Sequence, residues 1–307
     1  MTALAAAAGG LVDQIVGEPP LRWHPVARYG ATMQRVEQTI YADRRSNGIA
    51  FTAIGVGLGT GIGLALRRTV GPTLATVVAT AVSAAGRMLD DEAITMAALL
   101  HSGDLGTARE RVRSLVGRST ADLDQNEISR AVIESVAENC VDAVTSSMFW
   151  ATIGGAPAVL AHRAVNTLDA MVGHHDERYE RFGWASARLD DVANYLPARL
   201  TAIAAALVRP TRARAIATVV RRDAPRHPSP NGGIVEAAFA AALGVQLGGI
   251  NRYDDDIEDR GTLGDGHPPT VDAIDAAVRL RRHTTAATSA LLVVGSALAQ
   301  RVIRRSR

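Results

Sequence analysis

Four uncharged stretches, 49–66, 69–86, 143–161 and 284–300, interrupt the mixture of apolar and charged residues along the chain. Each approaches the roughly 20 residues an α-helix needs to cross the hydrocarbon core of a bilayer, so each predicts a membrane span. The run 2–16, interrupted by Asp13, is read as a fifth span, and the short uncharged run 237–251 as a partial span, tilted or re-entrant. The first run has no basic residues ahead of it and leads into Gly17-Glu18-Pro19-Pro20, which favours a retained membrane segment over a cleaved signal. Strand-like alternation is almost absent and no repeat of 20 to 50 residues is visible. The predicted fold is therefore all-α, a multi-pass helical integral membrane protein with a single membrane-embedded domain. Its polar inter-helix segments, 87–142, 162–194, 208–231 and the acidic 253–266, are expected to form the site. The competing reading is a bundle of buried soluble helices, since Gly and Thr dilute the mean hydropathy to +0.07.

Within 49–66 the glycines Gly55, Gly57, Gly59, Gly61 and Gly63 give overlapping small-xxx-small spacings that let another helix approach closely. Arg67-Arg68 and Gly71-Pro72 predict a turn into 69–86, making a helical hairpin. Arginines flank both ends of that hairpin, so charge gives it no orientation. Arg301, Arg304, Arg305 and Arg307 after the last span favour a cytoplasmic C-terminus.

Composition sharpens this picture in two ways. Hydrophobic residues make up 47% of the chain but aromatic residues only 4%, so the apolar surface is built from small side chains suited to close helix packing. Every basic residue is Arg, the formal charge is only +2, and no basic run is interleaved with aromatics, which sets nucleic acid aside. The lone Cys140 can form no internal disulfide and reads as a small buried apolar residue.

Three polar clusters can carry chemistry. On a continuous helix Glu127, Glu134, Glu138 and Asp142 fall within roughly an 80° arc, with Arg130 beside them, and the stripe runs straight into a span. Carboxylates at that depth need pairing, hydration or a cation, and an oxygen-only ligand set implies Mg²⁺ shared with a nucleotide phosphate. A second cluster runs from Arg163, Asn166 and Asp169 through His174 and His175 to Asp190, Asp191 and Asn194; a surface pair of Arg188 with Asp191 is the simpler reading of its end. His174 and His175 are adjacent and point apart on a helix, so zinc is not expected. The third is His227-Pro228-Ser229-Pro230-Asn231-Gly232-Gly233 entering an Ala-rich helix with Glu236, which reads either as a plain cap or as an anion-binding helix start. Asp13, Glu18 and His24 stand just beyond the first apolar run.

Four of these runs, taken in order, resemble the adenosylcobinamide-phosphate synthases, the CobD/CbiB family. They are Gly17-Glu18-Pro19 with His24-Pro25-Val26, the run from Glu127 to Asn139 (EISRAVIESVAEN), Arg163-Ala164-Val165-Asn166-Thr167-Leu168-Asp169, and His227-Pro228-Ser229-Pro230-Asn231. The likeness extends from about Asp13 to Leu280. It departs at His174 and His175, where the family usually has a tyrosine and a polar residue, and at Ala143 and Ser147, where Gly and Pro are expected.

The resemblance implies an ATP-dependent carbon–nitrogen ligase of cobalamin biosynthesis in the bacterial inner membrane, its active site facing the cytoplasm. It would join adenosylcobyric acid, a corrinoid, to (R)-1-aminopropan-2-ol phosphate through an acyl phosphate. It also implies roles: Glu134, Glu138 and Asp142 for Mg²⁺ and ATP, and Asp169 or Asp190 as base. Arg130, Arg163 and the Asn231–Gly233 turn would meet phosphates, and His24, Asn139, Asn166, Asp191, Asn194, His227, Ser229 and Gly232 would bind substrate. A membrane transporter of corrinoids and a non-catalytic scaffold for other enzymes of the pathway are the rival readings.

Overall fold

The computed structural model describes residues 2–19, 23–113, 115, 120–174, 176–253 and 256–305. The chain runs α1 (Thr2–Val16), α2 (Pro25–Ile40), α3 (Arg45–Val70), α4 (Pro72–Ser83), α5 (Gly86–His101), α6 (Leu105–Val112) and α7 (Gln125–Asn139). A π-helical turn, Cys140–Thr145, joins α7 to α8 (Ser146–Val172); α9 (Trp184–Val208), α10 (Ala213–Asp223) and α11 (Gly232–Leu243) follow. A hairpin of β1 (Leu247–Tyr253) and β2 (Asp256–Leu263) precedes α12 (Asp272–Arg305). Among the described residues four helical runs are long and apolar enough to cross a membrane: Arg45–Val70, Pro72–His101, Gln125–Val172 and Asp272–Arg304. Large apolar side chains such as Leu4, Ile15, Ile49, Leu58, Leu74, Ile153 and Leu298 point outward, a surface that suits lipid better than water. The fold is that of an all-α membrane protein carrying a short β-hairpin.

Two sequence expectations change in detail. The stretch 69–86 divides between the end of α3, the turn at Gly71 and α4, which stops at Ala84. The partial span expected over 237–251 is helical only to Leu243, because Gly244 takes the left-handed conformation (φ 72°) and closes α11. Beyond it β1 pairs antiparallel with β2, with a bulge between Gly248 and Ile250.

The fold divides into two compact units, each assembled from separated segments, so no linker marks a boundary in the sequence. The first comprises Met1–Arg87, Asp142–Asn194 and Ser289–Arg307; the second comprises Met88–Val141 and Tyr195–Thr288.

In the first unit α1, α3, α4 and α8 pack as a bundle, with α2 against α3 and α8. The close approach announced by the glycines of α3 is made chiefly with α8, and the hairpin partner α4 is secondary. A Cβ on Gly59 would stand 2.7 Å from the Leu160 carbonyl oxygen, and one on Gly63 2.5 Å from Pro157 Cα, while Gly57 and Gly61 face open space. At this crossing α8 is kinked at Gly155 (φ 64°), two residues before Pro157, which has no N–H to continue the ladder. Gly63→Ala is therefore expected to destabilise the protein by about 1–3 kcal/mol through overpacking against backbone that cannot swing aside. Gly61→Ala should leave the thermal midpoint in detergent unchanged; equal effects at both positions would refute this packing.

The second unit has a conventional apolar core, in which Met96, Leu100, Ile128, Ile133, Phe239 and Ile274 are fully enclosed. Cys140 joins it as a free, buried thiol, as expected. Crossing this core is an ion pair absent from the sequence reading. Arg281 Nε and Nη2 donate to the two oxygens of Asp90 at 2.6 Å each, and Arg282 Nε donates to Oδ2 at 2.7 Å.

Candidate functional site

In the first unit, α2 begins at His24, whose Nδ1 accepts the N–H of Val26 (3.2 Å), leaving Nε2 2.8 Å from Glu18 Oε2. Pro25 at the first helical position needs no N–H there, which is why His24-Pro25-Val26 makes a firm helix start. Arg163 on α8 lies in the field of Glu18 and Asp142, and its Nη1 donates to Asn166 Oδ1 at 3.0 Å. One turn of sequence thus presents a guanidinium and an amide on the same face.

A buried network centres on Asn194 of α9. Its Oδ1 accepts from Ser146 Oγ (2.7 Å) and lies 2.8 Å from His162 Nε2, while its Nδ2 donates to Asp190 Oδ2 at 2.9 Å. Burial pushes the Asp190 carboxyl up to about 7, and the nearby Asp169 charge acts in the same direction against the hydrogen bonds from Asn194 and Asn166. Asp169, Asp190, Asn166 and Asn194 are therefore brought together. Asp191 instead pairs with Arg188 at 3.6 Å on an exposed face, the surface pair its i,i+3 spacing allowed. His174 is exposed, and His175 lies outside the described residues.

In the second unit the acidic stripe of α7 is put to several uses. Glu127 completes a capping box with Asp124: each side chain accepts the other's backbone N–H at 2.8 Å. Glu134 Oε1 accepts the N–H of Gly248 at 2.8 Å, and Arg130 donates to the carbonyls of Gly248 and Ile250, so this pair anchors the hairpin. Asn139 folds back to donate to the Ser135 carbonyl. Beside Arg130 and Gly248, an open cavity of about 370 Å³ is also lined by Asp124, Thr262 and Pro268.

Glu134, Glu138 and Asp142 are the carboxylates for which the stripe suggested Mg²⁺. Among the described residues no three His, Cys, Asp or Glu side chains are placed to hold one metal ion. The Gly248 N–H engages Glu134, and Asp142 sits in the π-helical turn, which breaks the 100° phase of the stripe.

The His227–Gly233 turn meets its own backbone donors. Ser229 Oγ accepts the N–H groups of Asn231 (3.3 Å) and Gly232 (3.0 Å), and the next three N–H groups bond to the carbonyls of Ser229 and Asn231. The helix start caps itself, and Ser229, not Asn231, supplies the capping side chain. Gly232 and Gly233 are small because His227 packs on them; a Cβ on Gly233 would stand 2.5 Å from His227 Cβ. That packing aims the imidazole at Glu236, with Nε2 3.4 Å from Oε1. Burial alone would lower His227, but the adjacent Glu236 carboxylate outweighs it and holds the imidazole above its ordinary range.

The sequence reading assigned no role to His162, Ser146, Arg260 or Glu236. His162 had a signal in its place beside Arg163, one turn from Asn166. Glu236 had a stronger one, as the single charged residue of an otherwise apolar helix.

A family model described as CobD/Cbib protein matches residues 6–281. A cobalamin biosynthesis protein CobD of Mycobacterium tuberculosis is 43% identical over 292 residues, 93% of each chain. One of Chromobacterium violaceum is 43% identical over 282 residues, covering 88% of this chain and 89% of its own. One of Rhodobacter capsulatus is 44% identical over 209 residues, 68% of this chain and 66% of its own. No solved structure matches. With a family model covering most of its length and relatives this similar from end to end, the chain belongs to the CobD/CbiB family of cobalamin biosynthesis proteins.

Proposed function

We propose that this protein is the membrane ligase that joins adenosylcobyric acid to (R)-1-aminopropan-2-ol phosphate at the expense of ATP, giving adenosylcobinamide phosphate. The likeness to cobalamin biosynthesis proteins across 93% of the chain carries this reading. The buried polar networks of both units support it, since groups of that kind are costly within an apolar helical protein and are kept where chemistry needs them. A carboxylate is a poor acylating agent. ATP transfers its γ-phosphoryl group to the free propionate, giving ADP and an acyl phosphate; the amine then forms the C–N bond as the C–O bond to phosphate breaks. A bound Mg²⁺ would neutralise charge on the transferring phosphoryl group, with Glu134, Glu138 and Asp142 the carboxylates proposed to hold it. Arg163 offers a cation for phosphoryl oxygens, and Asp190, titrating near neutrality, can exchange a proton at physiological pH. We place the protein in the bacterial inner membrane with this chemistry on the cytoplasmic side, where ATP is found.

The test is ADP release by the purified, detergent-solubilised protein given Mg²⁺–ATP, adenosylcobyric acid and aminopropanol phosphate, each omitted in turn. ADP matching the amide formed and requiring both organic substrates is expected. Corrinoid binding without any turnover would instead mark a transporter or a scaffold that needs partners.

A further inference from the structure

Ser146 and His162 have no part in the proposed reaction, yet the first unit brings both of them to a single atom. They stand sixteen residues apart on α8, so a straight helix would hold them about 24 Å from each other. The break at Gly155, whose φ of 64° and ψ of −152° suit glycine alone, folds α8 back between them. Ser146 Oγ then donates to Asn194 Oδ1 at 2.7 Å, and His162 Nε2 reaches the same oxygen at 2.8 Å. Ser146 and Asn194 are fully buried and His162 nearly so.

The direction of each bond follows from the groups present. Asn194 Nδ2 donates to Asp190 Oδ2 at 2.9 Å, so the amide oxygen is what the other two share. His162 therefore carries its proton on Nε2, and its Nδ1 has no hydrogen-bond partner that would hold the opposite tautomer. Trp150 stacks on the imidazole with ring centroids 6.4 Å apart, and its Nε1 donates to the Ala193 carbonyl, which ties the stack to α9. With the amide reversed, the Asn194 NH₂ would meet the His162 N–H and its oxygen would face the Asp190 carboxylate. Besides Asn194, the groups around Asp190 are Asn166 and Asp169 of α8 and the adjoining Asp191. The two acids oppose its ionisation and the two amides favour it, so an amide turned the wrong way would hold the proton on Asp190.

We propose that Ser146 and His162 are positioning residues, which lock the Asn194 amide with its nitrogen on Asp190 and so keep Asp190 ready to take the proton that frees the amine. In that step an N–H bond of the ammonium breaks as an O–H bond forms on Asp190. The inference rests on the ligase reading for the use made of the proton, and it assigns Asn194 to Asp190 instead of to substrate.

Infrared titration of the full-length, detergent-solubilised protein tests this without any turnover, because the carboxylic-acid band that Asp190→Asn removes reports the protonated fraction of Asp190 at each pH. In the wild type that band should fade with a midpoint of about 7. His162→Phe, which keeps a ring against Trp150 but has no N–H, should raise the midpoint by about half a pH unit or more, and Ser146→Ala should move it the same way. His162→Gln, which restores an N–H donor, should bring it back to the wild-type value. Lower melting temperatures with an unmoved midpoint would mark both residues as packing alone and overturn the proposal. Should His162→Phe fail to fold, an unmoved midpoint in Ser146→Ala overturns it as well. Midpoints that shift as expected in a protein that never releases ADP sink the ligase reading alone. ADP release with midpoints that stay put sinks this inference alone.

Discussion

Asp90→Ala is expected to cost the second unit about 3–5 kcal/mol, enough to unfold it at moderate temperature. The carboxylate is 1% exposed, Arg281 is 0% exposed, and the pair shares two hydrogen bonds of 2.6 Å. Removing one partner leaves the other charge in a region with no water to solvate it, which is why truncation costs more than the pair itself contributes. Arg281→Ala should be comparably damaging. Arg282→Ala, which removes a half-exposed donor to the same carboxylate, should cost far less. Replacing the buried pair by Leu at 90 and Met at 281 should recover most of the loss. Thermal unfolding in detergent measures all four variants, and a mild effect of Asp90→Ala would mean that water reaches this pair.

The second large effect is one of pH. Unfolded, the Asp190 carboxyl ionises near 3.8; folded, burial and the Asp169 charge hold it near 7. Between those values unfolding releases a proton, so stability falls as pH rises across the window, by about 1.4 kcal/mol per unit, and levels off above 7. Asp190→Asn keeps a polar side chain at the position but cannot ionise. Its melting temperature should therefore gain on that of the wild type steadily from pH 5 to 7 and hold a constant lead beyond. Parallel pH profiles for the two proteins would show that Asp190 is ionised in the folded state throughout.

Much of the architecture was legible because lipid-facing helices leave long gaps in the charge pattern, as 49–66 and 284–300 do. The glycine stripe of α3 was legible as a contact surface. Its partner was not, because α8 lies about a hundred residues further along, whereas the sequence offers only its nearest neighbour. The hairpin was hidden by Gly248-Gly249 and by the acids of β2, which break the alternation that reveals a strand. Projecting the acidic stripe at 100° per residue fails at Cys140, where the helix takes the wider π turn. The polar runs named from sequence did contain buried networks. What the sequence could not show is which of their members are consumed by structure, as Glu127 is by its capping box and Ser229 by its cap.

The ion pair between Asp90 and Arg281 also sets an order of events during synthesis. Its partners are 191 residues apart, so at ribosomal speed the acid waits about 10–40 s for its base. Through that interval α5 carries an unneutralised carboxylate, and the second unit cannot close until α12 has been made. Nascent chains stopped before residue 281 should be met by membrane quality control as unfinished, however complete their earlier helices are.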